Sequence, residues 1–273
     1  MSNSINTNLS AMNALQGLNR TNDALGIVQK RVNTGFKVAD ANDDGATFAI
    51  AQSIRGNLNA YEAVGDQLSR AKGILTVAMG GAQSVSETLT KMESVLIKLA
   101  DSSVTGDTRT QYSNDFTALL ADLTSYITNA SFNGQNNLIQ SGATNVSVVS
   151  NISGGQITIT ARDLQATVIS SIGTTPANAA AAQNLLTSSF VTAKTAVGSA
   201  LAGFAADNRR IDNQIRFMRT LSDAAEIGLG AMVDADLAKE SAKLQSLQIR
   251  QQLATQSLGI ANQSPSILLS LFR

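Results

Sequence analysis

Residues 54–99 read IRGNLNAYEAVGDQLSRAKGILTVAMGGAQSVSETLTKMESVLIKL, and the apolar spacing within them decides the fold. Ile54, Tyr61, Leu68, Leu75, Ala82, Leu89 and Leu96 recur at every seventh residue. Three positions beyond each lie Asn57, Val64, Ala71, Ala78, Val85, Met92 and Leu99, of which only Asn57 is polar. Such a seam is the packing edge of a coiled coil. It predicts a helix about 70 Å long at 1.5 Å per residue. Leu58, Ile74, Met79 and Val95 widen the seam, so the helix faces more than one partner.

Downstream, a second long helix is predicted from about Ala179 to Met232. Phe190, Val197, Phe204, Ile211, Met218, Ala225 and Met232 are again seven apart, while Asp207 and Gln214 interrupt the accompanying positions. A shorter helix lies between the two. Tyr112, Phe116, Leu119, Leu123, Tyr126 and Ala130 alternate steps of four and three, and Asn133-Gly134 marks a turn beyond them. The period then drops to two. Residues 146–152 and 156–164 alternate apolar and polar around Ser153-Gly154-Gly155, which reads as a β-hairpin. Pro176 sits just ahead of the returning helix, where proline is tolerated.

Composition supports a helical structural protein. Two prolines in 273 residues leave long helices uninterrupted. Cys and His are both absent, which excludes a disulfide framework, a zinc site of Cys/His type and any triad or dyad built on His. Twenty basic residues balance twenty acidic ones, so no electrostatic grip on nucleic acid or anionic lipid is expected. No run approaches the roughly 20 apolar residues of a membrane span. The opening MSNSINTNLSAMNALQGLN lacks a basic region followed by an apolar block. It is not read as a secretory signal, so the expected location is the cytoplasm or the far side of an export route without such a signal.

The two ends share a character. Residues 1–19 and 251–272 hold no ionisable side chain, yet both carry helical apolar spacing. Ile5, Leu9, Met12, Leu15, Leu18, Leu25, Val28 and Val32 mark one stripe; Leu237, Leu244, Leu247, Leu253, Leu258, Ile260, Ile267, Leu268 and Leu271 mark the other. An amphipathic helix whose polar face is only Asn, Gln, Ser and Thr is marginal alone in water. It makes physical sense packed against copies of itself.

Candidate chemical sites are weak. Asp40-Ala41-Asn42-Asp43-Asp44-Gly45 matches the first half of a calcium loop, but Ala51 stands where the bidentate Glu belongs. A helix-connecting turn with Asp43 or Asp44 as cap is the better reading. Gly228-Leu229-Gly230 follows no strand and carries no nucleotide signal. Arg209, Arg210, Asp212, Arg216 and Arg219 form a charged helix face, for which solvated or intersubunit pairs are the default. No catalytic, cofactor-binding or metal-ligating residue is proposed, and no enzyme activity is expected.

Ile5-Asn6-Thr7-Asn8, Ala24-Leu25, Val32-Asn33-Thr34-Gly35, Asp43-Asp44 and Ala49-Ile50-Ala51 resemble the opening of a bacterial flagellin. Asp234-Ala235-Asp236-Leu237-Ala238-Lys239-Glu240, Gln251-Gln252, Ala261-Asn262-Gln263-Ser264-Pro265 and Leu268-Leu269-Ser270-Leu271 are similar to its close, and Phe132-Asn133-Gly134 and Asn208-Arg209 match between them. The resemblance implies a mainly α fold of long antiparallel coiled-coil helices with a small β-hairpin region, terminal helices pairing into a filament core. Residues 1–42 and 234–273 would form that core domain, and residues 43–233 the helical shoulder with the hairpin near 146–164. It implies a structural subunit of the extracellular flagellar filament, the propeller for swimming, exported unfolded by the flagellar type III apparatus. Partners would be many copies of itself, with other flagellins, junction and cap proteins and an export chaperone. Nucleic acid, cofactors and membrane insertion are not expected.

Filament-core contacts are expected at Ile5, Asn6, Asn8, Leu9, Leu258, Asn262, Gln263, Ile267, Leu268 and Leu271. Shoulder packing is expected at Ile54, Tyr61, Leu68, Leu75, Leu89, Leu96, Phe190, Phe204, Ile211 and Met218. The interval between hairpin and returning helix is only about a dozen residues, so this would be a short form without outer domains. The Arg-x-Arg-Glu-Leu-type stretch that flagellins offer to Toll-like receptor 5 is replaced by Leu89-Thr90-Lys91-Met92-Glu93-Ser94-Val95, which predicts weak recognition. A hook–filament junction protein, with similar arms, and a cytoplasmic coiled-coil scaffold are the competing readings.

Overall fold

A computed structural model describes residues 8–134 and 137–270, with side chains to residue 263. The elements in order are α1 (Leu9–Thr34), α2 (Gly45–Ala100), α3 (Gly106–Asn129), β1 (Val146–Val149), β2 (Gln156–Ile159), α4 (Ser170–Ile172), α5 (Ala179–Thr187), α6 (Ser189–Val233) and α7 (Leu237–Ser270). Contacts divide the chain into two compact units, residues 57–223 and residues 1–56 with 224–273. Both divisions fall inside a long helix, α2 and α6. Among the described residues no helix is long and apolar enough to cross a membrane.

The unit of residues 57–223 is built on the α2 seam. From Val64 to Leu99 every seam position is buried, and only Asn57 is exposed and Tyr61 half-buried at its start. Phe116, Leu123 and Ile127 of α3 pack into the same core, as do Phe190, Val197, Phe204, Ile211 and Met218 of α6. Two ion pairs tie α2 to α6, Lys72 to Asp212 at 2.6 Å and Lys194 to Glu93 at 2.8 Å. Two glycines on α2 make room for its neighbours. A Cβ on Gly81 would lie 2.7 Å from Ala130 Cβ and 2.9 Å from Ile139 Cδ1, and one on Gly73 would lie 2.9 Å from the Phe132 ring. The chain turns at Asn133 and Gly134, both at positive φ.

The hairpin is shorter than its alternation suggests. Val146 pairs with Ile159 and Val149 with Gln156, antiparallel, and both strands stop there. Asn151 ends β1 by accepting the Ser153 and Gly155 N–H groups on its side-chain oxygen. After β2, Ala161 N–H turns to Asn145 and Arg162 N–H to the Leu138 carbonyl, away from the ladder. Asp163 then caps a turn of π-helix over Gln165–Ile169 that leads into α4. The returning helix is also in two pieces. Thr187 and Ser188 each bond their hydroxyls back to carbonyls one turn earlier, and Ser188 leaves helical geometry between α5 and α6.

The unit of residues 1–56 and 224–273 centres on α1 and α7. Asn8 caps α1 by accepting the Ala11 N–H at 3.0 Å, and Gly35 ends it at φ 75° with its N–H on the Arg31 carbonyl. Asp44 accepts the Ala46 and Thr47 N–H groups at the start of α2, so it is the cap and Asp43 is not. Asp236 does the same for α7 through the Lys239 N–H. Phe36 bridges Asp234, Lys37 N–H bonds the Val233 carbonyl, and Val38, Ala51 and Val233 form a small core.

Candidate functional site

The terminal helix pair is where chemistry and exposure disagree most. Helices α1 and α7 run antiparallel, shown by three bonds whose members advance in opposite directions. Asn8 Nδ2 donates to the Ala261 carbonyl at 2.7 Å, Gln251 Nε2 to Asn22 Oδ1 at 2.8 Å, and Arg31 Nη1 meets Glu240 Oε1 at 3.3 Å. Among the described residues of the pair only Leu25, Val28 and Leu247 are buried, with Ala24, Val32 and Leu244 packed against them. Each fully buried side chain of this kind contributes about 2 kcal/mol. That is a thin core for helices of 26 and 34 residues.

Several other apolar side chains of the pair are exposed. Leu9 is 68% exposed, Met12 62%, Leu253 59% and Ile260 71%. Leu15 and Ile249 are exposed as well. Of the expected core contacts, Asn8 is half-buried and bonded to both helices, Leu9 is exposed, Leu258 is half-buried, and Asn262 and Gln263 are exposed. Ile5, Asn6 and Leu271 lie outside the described residues, and Ile267 and Leu268 lie on α7 with side chains outside them. The exposed Met12, Leu15, Leu253 and Ile260 belong to the stripes read from the sequence; Ile249 is off the stripe and had no periodic signal. The ten shoulder residues divide simply. Leu68, Leu75, Leu89, Leu96, Phe190, Phe204, Ile211 and Met218 are buried, and Ile54 and Tyr61 are half-buried.

The acidic turn joining α1 to α2 is organised around an ammonium of the chain itself. Lys30 Nζ lies 2.6 Å from Asp40 Oδ2 and 2.8 Å from Asp43 Oδ2. Asp43 also accepts the Ala39 and Asp40 N–H groups. The Lys30 hydrogen bond holds the carboxyls of Asp40 and Asp43 below the usual carboxylate range, helped by backbone N–H groups, and both carboxylates raise Lys30. Asp44 is lowered by the Thr47 hydroxyl and N–H. The carboxylates of the would-be calcium loop are thus engaged in a lysine bridge and a helix cap.

This arrangement defines a helical structural subunit whose terminal helices keep an uncovered apolar face. The sequence profile of the bacterial flagellin N-terminal helical region matches residues 5–143, and that of the bacterial flagellin C-terminal helical region matches residues 188–272. The chain belongs to the bacterial flagellin family. It is 38% identical over 271 residues to flagellin FljM of Caulobacter vibrioides and 33% identical over 285 residues to a flagellin of Brucella melitensis, covering 99% of both chains in each case. Flagellin A of Rhizobium meliloti aligns at 25% identity over 396 residues, more than this chain possesses, so that relative carries residues absent here. The crystal structure of Bacillus cereus flagellin shares the fold with a TM-score of 0.50 at 18% identity, covering 55% of this chain and 86% of that one. The chain is a structural filament subunit of short form and not an enzyme.

Proposed function

We propose that α1 and α7 are the arms by which this flagellin builds the core of an extracellular filament, many copies packing their uncovered apolar faces together. The observation that carries this reading is the exposure of Leu9, Met12, Leu253 and Ile260 on helices that hold no charge at residues 9–19 or 251–270. An uncharged polar face of amides and hydroxyls suits contact with other copies better than contact with water. Asn8, Asn262 and Gln263 set register there by hydrogen bonding, while Leu9 and Leu258 add burial. Ile5, Ile267, Leu268 and Leu271 add to that burial, and Asn6 joins the amides that set register. Residues 1–42 and 234–273 make the filament core and residues 43–233 the surrounding shoulder. The subunit is secreted unfolded through the flagellar type III apparatus and becomes part of the flagellum outside the cell. Other flagellins, junction and cap proteins and an export chaperone meet the same arms.

Deletion of residues 251–273 tests this. The truncated chain should remain a soluble monomer that electron microscopy finds free of filaments at concentrations where the parent polymerises. Filaments of normal length from the truncated chain would remove the role given to α7.

A further inference from the structure

Two helices of the unit spanning residues 57–223 carry opposite, unpaired charge at the same interval. On α6, Arg209 and Arg216 are exposed and lie seven residues apart, opposite the buried line of Phe204, Ile211 and Met218. Arg210 and Arg219 flank them, and Asp223 ends the basic run seven residues beyond Arg216. On α3, Asp115 and Asp122 are exposed and also seven residues apart, with exposed Asp107 before them. The one basic residue of α3, Arg109, is turned inward and donates to the Leu99 and Pro176 carbonyls. Seven residues of helix rise about 10.5 Å, so two guanidiniums and two carboxylates are presented at matching spacing.

Among the described residues none of these four charges has an ion-pair partner within the chain. The six ion pairs there use other residues, including Asp212 with Lys72 and Glu93 with Lys194. Arg216 bonds only its neighbours, the Asp212 carbonyl and the Asn213 side chain.

We propose that the Arg209–Arg216 stripe of one copy docks on the Asp115–Asp122 stripe of the next, a charge-matched contact between the shoulders of neighbouring subunits. The inference rests on the filament reading above. The two stripes lie on different helices, α6 and α3, and within the filament reading the contact is heterologous: the basic stripe of each copy meets the acidic stripe of the next. Each exposed pair is weak in isolation. Repeated along a polymer, the stripes select register and speed encounter, and they reject displaced copies by like charge.

The test is sedimentation of purified chain over a concentration series, with Arg209→Glu plus Arg216→Glu, with Asp115→Arg plus Asp122→Arg, and with all four changes in one chain. All four side chains are exposed, so thermal unfolding of the monomers by circular dichroism should match the parent. Either pair alone should raise the critical concentration about tenfold at near-physiological salt, and the fourfold exchange should restore it. Parent-like polymerisation of either charge-reversed chain, or no rescue in the fourfold chain, overturns the contact. If Arg209→Glu plus Arg216→Glu instead costs only binding to an anionic polysaccharide such as heparin, the stripe serves a polyanion and the contact is likewise overturned. Failure of the parent itself to polymerise would fall on the filament reading, which separates the two outcomes.

Discussion

Gly80 and Gly81 are neighbours in α2 with opposite surroundings. Nothing lies within 4 Å of a Cβ built on Gly80, whereas one on Gly81 meets Ala130 and Ile139 at under 3 Å. Replacing a helix-interior glycine by alanine gains about 1 kcal/mol from backbone entropy when space is free. Overfilling a packed contact costs about 1–3 kcal/mol. Gly80→Ala should therefore stabilise the chain and Gly81→Ala destabilise it, read as opposite shifts of the denaturant midpoint. A common direction for both would show that packing at Gly81 is loose. At the same scale, Leu89 and Met92 are buried and Glu93 is held by Lys194, leaving Thr90, Lys91 and Ser94 as the exposed residues of that stretch. Purified protein should activate a Toll-like receptor 5 reporter weakly, and strong activation would contradict the reading of this segment.

Among the elements, the turn between α1 and α2 has a pH dependence whose sign follows from its contacts. Asp40, Asp43 and Asp44 titrate below the ordinary carboxylate range. Their contribution is complete above the unfolded carboxylate value of about 4 and is lost as pH falls through the lowered folded values. Lys30 is raised, so its contribution is complete below about 10.4 and is lost as pH climbs through its folded value. Amide hydrogen exchange of residues 39–47 should stay protected at neutral pH and open, relative to α3, only in acid or strong alkali. Asp43→Asn should weaken the neutral protection and flatten the acid step. An unchanged acid step in that variant would sink the argument.

Elements were legible in proportion to their period. The α2 seam repeats often enough that its buried set, Leu68 to Leu99, follows from counting. The strand ends and the α5–α6 break do not, because single side chains decide them: Asn145 and Asn151 draw backbone N–H groups away at the strand ends, Asp163 starts the turn that follows, and Thr187 and Ser188 compete for helix carbonyls. Such side-chain bonds have no periodic signature.

For the whole chain, the terminal stripes announced surfaces seeking partners, and the exposed Met12, Leu253 and Ile260 lie on them. What spacing did not supply was the division of labour in the arm pair, where a thin buried core near Leu25 and Leu247 leaves Leu9, Met12, Leu15, Leu237, Leu253 and Ile260 of the two stripes exposed. The charged face of Arg209 and Arg216 is legible in the sequence, but spacing did not match it to Asp115 and Asp122. Periodicity finds what is buried, and Arg209, Arg216, Asp115 and Asp122 keep their seven-residue interval on faces that a hydrophobic count ignores.

The Asn8 amide does two things at once: its oxygen starts α1 at Ala11 and its nitrogen holds the carbonyl of Ala261, a residue 253 positions away. A helix with so thin a core and so distant a clasp gains little until its far end arrives, since contacts of that separation form late. A chain lacking α7 therefore leaves α1 without the cover that Leu247 and Leu244 give to Leu25 and Val28. Completeness is checked by the molecule itself: the beginning hardens only once the end has been delivered.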